Sequence, residues 1–193
     1  RMVGAPSAWD ITTGSPDVIV GVLDTGIVDH PDLEGQVVGG YDFISEAARA
    51  GDGDGRDPDP TDRGDQADGS GLSIWHGTHV AGIVAAKRDN GQGGAGIASG
   101  VKLLILRVIG VGGGLVSDAV DAILYAAALH TTSDGRKLEA PIDILNLSVG
   151  LPQDSPDLRV ACERAANNGV LLVASVGNTG SAVLYPAAYP STV

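Results

Sequence analysis

The sequence predicts an α/β fold: a mainly parallel sheet with helices on both faces. Five runs of apolar, often β-branched residues recur along its 193 residues. Two of them, LLILRV and GVLLVASV, are apolar at successive positions instead of alternating. That is the mark of strands covered on both sides. Helical patterns lie between the runs, and strands alternating with helices assemble into parallel sheets.

The predicted strands are Val18–Leu23, Gln36–Phe43, Lys102–Val108, Ile142–Val149 and Val170–Val176. The first predicted helix is His76–Lys87, HGTHVAGIVAAK. The second, Ser117–His130, opens with a serine cap and an acidic first turn. The third, Asp157–Asn168, ends in Asn-Gly, a helix stop.

Composition narrows the classes of function. There are 12 Lys and Arg against 24 Asp and Glu, a net charge of −12. Such a surface argues against nucleic acid or an anionic membrane as partner, and it suits bound cations. The apolar runs fall far short of the ~20 residues that a membrane-spanning helix needs. At 43 % hydrophobic residues the chain is not a disordered one. Its length fits one domain burying roughly 70 % of its unfolded surface. The 29 glycines are scattered among turns, without a collagen period. Cys162 is the single cysteine, which excludes an internal disulfide; it reads as a small apolar residue on a helix. No targeting segment is visible, and RMVGAPSAW reads as a mature or trimmed start.

Two glycine clusters invite a nucleotide-binding reading. Gly91–Gly96 matches G-x-G-x-x-G, but it follows a helix, so the phosphate-cradling geometry is absent. Gly110–Gly114 does lie between a strand and a helix. The next strand, however, ends in Asn146-Leu-Ser148, with no acid to hold a ribose hydroxyl.

The stretch GVLDTGIVDHPD places Asp24 at the end of the first strand. Asp-Thr-Gly is one way an aspartic protease presents its carboxylate. That class needs an all-β fold and a second aspartate, and no second Asp-Thr-Gly or Asp-Ser-Gly occurs. His76 opens HGTHVAGIVAA. A zinc pair with His79 would need a third ligand and a nearby glutamate, which HGTH lacks. His76 is then either a satisfied structural histidine or a general base at a helix N-terminus, its tautomer fixed by a buried acid. Asp24 suits that part, because open α/β sheets place their sites at the carboxyl ends of strands. Asn178, in VASVGNTG, follows the last strand. It is either a turn residue or an amide donor to an oxyanion.

VGVLDTGIVDHPDL, HGTHVAGIVAA, ILNLSVG and VASVGN, in this order, resemble the subtilisin-like serine proteases, the subtilases. YPAAYPSTV fits as well. The resemblance runs from Ala5 to Val193. It implies a three-layer subtilisin-like fold and serine endopeptidase activity on peptides or proteins. It makes Asp24 and His76 members of an Asp-His-Ser triad and Asn178 the oxyanion donor. Ser148, Val149 and Gly150 would line the substrate cleft with Ala174 and Gly177. Ile109, Gly112, Gly113 and Gly114 would form its other edge, pairing with an extended peptide. Gly-Thr-Ser-Met-Ala, the family's nucleophile motif, does not occur, and none of the serines present stands in that context. The expectation is therefore the N-terminal two-thirds of one catalytic domain over residues 1–193, truncated at the C-terminal end. Its serine would come from a segment not shown, and this chain alone would be inactive. A non-catalytic binding or fragment protein of the same fold is the alternative. A sheet edge left bare would promote self-association. The family, the acidic charge and the loop below suggest secretion.

Residues 45–71 form an acidic insertion. GDGDGRDPDPTDRGDQADG carries seven aspartates and two arginines with no apolar periodicity. Asp52, Asp54, Asp57, Asp59, Asp62 and Asp65 offer hard oxygen ligands for a structural calcium ion, and Gly53 and Gly55 allow tight wrapping. A solvated insertion is the rival. It is not an EF-hand, since Arg63 stands where the bidentate glutamate belongs. The resemblance implies a second calcium site using Asp32 and the loop containing Asp89.

Overall fold

A computed structural model describes residues 3–65 and 74–193. Residues 66–71 of the acidic insertion lie outside the described residues. In chain order the elements are α1 (Ala5–Trp9), β1 (Ile19–Asp24), a 3₁₀ turn at Pro31–Leu33, β2 (Val37–Asp42), α2 (Ala47–Ala50), α3 (His76–Ala85), β3 (Lys102–Arg107), α4 (Val116–Ala126), β4 (Ile144–Leu147), α5 (Pro156–Asn167) and β5 (Leu171–Ala174). The five strands form one parallel sheet in the order β2-β3-β1-β4-β5.

Strand side chains alternate between faces, and each face has its own core. Val20 and Val22 of β1 pack with Leu103 and Ile105 of β3 against Ala81 and Ala85 of α3. Leu23, Leu104, Leu106, Leu145 and Leu147 point the other way, against Ala122 and Ile123 of α4 and Leu158 and Cys162 of α5. Helices on both faces make the three layers that continuous apolar strands require. Burying a side chain such as Leu106 contributes about 1.5–3 kcal/mol. Tyr41, Phe43 and Tyr125 add an aromatic cluster with ring centroids 4.9–6.3 Å apart. Cys162 is fully buried, and burial pushes its thiol up to about 12.

The expected strands and helices are all present; four strands are shorter and β1 runs one residue later, while the helices end sooner and two of them start one residue earlier. β4 and β5 are four residues each, inside longer apolar runs. The apolar pattern of α4 continues to His130, yet the helix stops at Ala126. Ala128 adopts a left-handed φ of 57°, its N–H meets Tyr125 O and the Leu129 N–H meets Leu124 O. Those two bonds close the helix C-terminus without the glycine that normally signals such an end. Ser117 does not cap α4, whose N-cap position is Leu115; Ser155 caps α5, accepting from Leu158 N. Edge strand β2 slips register between Val37 and Gly39, leaving Val38 exposed. On the opposite edge, Leu171 and Val173 of β5 are exposed.

Ile105 and Leu106 are adjacent on β3 and face opposite layers. Ile105→Ala and Leu106→Ala should each destabilise the fold by roughly 2–5 kcal/mol in chemical denaturation. A cost under about 1 kcal/mol for either would mean that its face lacks a packed cover.

Candidate active site

Asp24 is the last residue of the central strand and is fully buried. His76 is the first residue of α3. His76 Nδ1 lies 2.8 Å from each carboxylate oxygen of Asp24. An imidazole donating Nδ1–H to that carboxylate presents Nε2 as an acceptor. The His76 side chain is 43 % exposed, so Nε2 is open to a reactant. Burial raises the Asp24 carboxyl above its ordinary range, while the Thr25 N–H and His76 pull it back.

Thr25 and two glycines hold this pair. Thr25 N donates to Asp24 Oδ1 at 2.7 Å, and Thr25 Oγ1 donates to Asp62 Oδ2 at 2.8 Å. The same hydroxyl accepts from Gly77 N at 3.0 Å, which ties the first turn of α3 to the β1 turn. A Cβ on Gly77 would stand 2.2 Å from Gly26 O. Gly26 has φ +101°, a conformation favouring glycine, and a Cβ there would meet Pro60 O at 2.4 Å.

A buried arginine braces the turn from behind. Arg107 ends β3 in register with Asp24 on one side and Asp42 on the other. Its side chain is fully buried. Nη1 bonds Asp42 Oδ2 and lies 3.4 Å from Asp52 Oδ2; Nη2 donates to Ala50 O at 2.6 Å and Nε to Thr25 O at 3.2 Å. Burial pushes the Asp42 carboxyl up to about 6, against the pull of the Ile44 N–H and Arg107. Neither Arg107 nor Asp42 was expected at the site. The available signal was a single charge closing each apolar run, in VVGGYD and KLLILR.

Of the six aspartates expected to hold a metal, the structure clusters three. Asp52, Asp54 and Asp57 each bring an oxygen within 4.8 Å of the others. Asp52 Oδ1 is buried without a hydrogen-bond partner among the described residues. Crowding shows at Asp57, whose carboxyl is raised by burial and by Asp54, Asp52 and Asp59. This donor set fits a hard cation, because an orphaned carboxylate oxygen and mutual repulsion are both relieved by one. Asp59 instead accepts from the Thr61 hydroxyl and N–H and from Arg63; these bonds hold its carboxyl below the usual range. Asp62 serves Thr25, and Asp65 stands outside the cluster. Arg56 fastens the segment to α4 through Asp118, which is fully buried, and Asp121. Asp32 accepts from Asn90 Nδ2 at 2.6 Å and Gly94 N at 3.0 Å, which lowers its pKa. Asp89 is exposed beside Arg88. These two do not join a ligand cluster among the described residues.

Ile109, Gly113, Gly114, Ser148, Val149 and Gly150 line a cleft of about 340 Å³, closed by side chains including Leu115 and Tyr185. Gly112 lies on the turn at its rim, its carbonyl accepting from Arg49. Ala174, in register with Leu147, and Gly177 do not line this cleft, although they were expected to. Leu184 fills the space between Gly150 and Gly177: a Cβ on the first or the second would meet its Cδ1 at 2.7 or 2.5 Å. Asn178 is exposed on the turn after β5, at the same sheet end as Asp24.

Comparison with known proteins agrees with this geometry. The model of the Subtilase family matches residues 15–193. The "Extracellular protease" of Xanthomonas campestris pv. campestris is 42 % identical over 91 % of this chain and 32 % of its own length. The "Major intracellular serine protease" of Bacillus subtilis is 36 % identical over all of this chain and 54 % of its own. A solved structure of "Proteases from Pseudoalteromonas arctica PAMC 21717" superposes with a TM-score of 0.90 at 41 % identity, covering 98 % of this chain and 58 % of that one. The chain thus spans between about a third and three-fifths of these relatives. A parallel sheet carrying Asp24 at its central strand end, a helix opening on His76 and a family match over nearly the whole length lead to one conclusion: the chain belongs to the subtilase family.

Proposed function

We propose that this chain is the larger part of the catalytic domain of a serine endopeptidase. The observation that carries this reading is the 2.8 Å contact between His76 Nδ1 and the buried Asp24 carboxylate. Asp24 fixes the imidazole tautomer and stabilises the imidazolium without itself taking the proton. His76 Nε2 accepts the proton of a serine hydroxyl as the oxygen attacks the peptide carbonyl. It then returns that proton to the departing amine. The side-chain amide of Asn178 donates to the oxyanion of the tetrahedral intermediate. No serine within residues 1–193 stands in the family's nucleophile motif, so the hydroxyl comes from outside this stretch. Alone, the stretch is inactive.

The substrate is an extended peptide running between Ile109–Gly114 and Ser148–Gly150. Leu184 shortens the space between Gly150 and Gly177, so a small side chain suits that position. Asp52, Asp54 and Asp57 hold a calcium ion, whose charge offsets the repulsion of their carboxylates and pins the acidic insertion. The protein works outside the cell, where millimolar-affinity calcium sites fill. The relative from Xanthomonas, named extracellular, supports this; the one from Bacillus subtilis is named intracellular.

In the intact protein, Asp24→Asn should lower kcat on a chromogenic peptide about 10,000-fold, and Asn178→Ala about 100- to 1,000-fold. Full activity in either variant overturns its assigned role. Leu184→Ala should raise kcat/KM for a bulky side chain relative to alanine by about 10- to 200-fold, read from paired peptide substrates. Calcium at about 100 times its Kd should add about 2.7 kcal/mol of stability. A chelator should therefore lower Tm, and Asp54→Ala with Asp57→Ala should abolish that response. An unchanged wild-type Tm rules the ion out.

A further inference from the structure

The Arg107 side chain touches the acidic cluster, the edge strand and the Asp24 turn at once. Its guanidinium is fully buried, and its acceptors come from separate stretches: Thr25 O, Asp42 Oδ2, Ala50 O and, at 3.4 Å, Asp52 Oδ2. Asp52 belongs to both systems. Its Oδ2 faces Arg107, while its Oδ1 is buried without a partner among the described residues, in a side chain nine-tenths buried. Thr25 carries the connection onward. Its carbonyl accepts from Arg107, its N–H holds Asp24 Oδ1, and its hydroxyl accepts from Gly77 N, the residue after His76.

We propose that Arg107 is a positioning residue that couples cation occupancy of the Asp52–Asp54–Asp57 cluster to the Asp24–His76 hydrogen bond. This rests on the calcium reading above and goes beyond it, since that reading requires only a local staple. A divalent cation on the cluster satisfies Asp52 Oδ1 and draws charge from Asp52 Oδ2. The claim of Asp52 on Nη1 weakens, and the guanidinium shifts its hold toward Asp42. The fork is rigid and planar, so a change at Nη1 is transmitted to Nε. Nε holds the Thr25 carbonyl, and the Thr25 peptide holds both the acid and the start of the histidine helix. Coupling of this kind is reciprocal: whatever fixes the Asp24–His76 pair changes cation affinity by the same factor.

The test is a calcium titration of the intact, ¹⁵N-labelled protein. The resonances followed are the amides of Asp54, Asp57 and Thr25, the Nε–H of Arg107 and the low-field Nδ1 proton of His76. The expected result is that all five shift along one binding curve. Arg107→Lys, which keeps the charge but loses the fork, should retain the shifts at Asp54 and Asp57 and lose those at Thr25 and His76. A purely structural arginine would leave no such selective loss. If Asp54 and Asp57 respond while Thr25 and His76 stay fixed, the coupling is wrong and the cation site stands. If Thr25 responds without Arg107 Nε–H, the conduit is wrong; that measurement needs no variant. If no amide of the acidic segment moves, the calcium reading fails and this inference with it.

Discussion

Burying an ionisable carboxylate at the end of the central strand is the constraint that the surrounding structure answers. An isolated buried charge costs several kcal/mol, and it persists only with hydrogen bonds and a partner. Asp24 has the Thr25 N–H and the His76 ring. Both partners depend on the same turn, because Thr25 also receives the first N–H of α3 after His76. The demand of one carboxylate thus sets where a helix starts. Trp75, the residue before that helix, takes a left-handed φ of 54° to deliver it there.

The same end of the sheet concentrates charge in an apolar setting. Asp24, Arg107 and Asp42 close three neighbouring strands at one register. A lone arginine there would be as costly as a lone acid. Its fork instead gathers a carbonyl from the turn after β1, another from the end of α2 and the carboxylate of the edge strand. The acidic insertion is therefore not an appendage. It is stitched to the sheet by Arg107 and to α4 by Arg56, and Asp62 reaches from it to Thr25.

The layered sheet was legible because covered strands leave continuous apolar runs, and such runs need no tertiary information to be noticed. The pairing of Asp24 with His76 was legible through the resemblance: each stands in a long, specific stretch of residues. Other features were not readable, for physical reasons. Seven aspartates in one insertion look alike until each oxygen's partner is known; Thr61 claims Asp59 and Thr25 claims Asp62. Arg107 is a single charge in an apolar run, and its acceptors lie at positions 25, 42, 50 and 52, which only the fold brings together. The end of α4 depends on an alanine in a conformation usually left to glycine.

The meeting of Gly26 and Gly77 has a consequence for how the acid and the imidazole keep their spacing. Helix and strand turn touch main chain to main chain there, with no side chain between them to act as a cushion. The spacing of the two main chains that carry the functional groups is consequently set by peptide geometry, which is stiff, and not by an intervening side chain, which could relax. Repacking the interior elsewhere can loosen or tighten the molecule as a whole while this distance stays as it is.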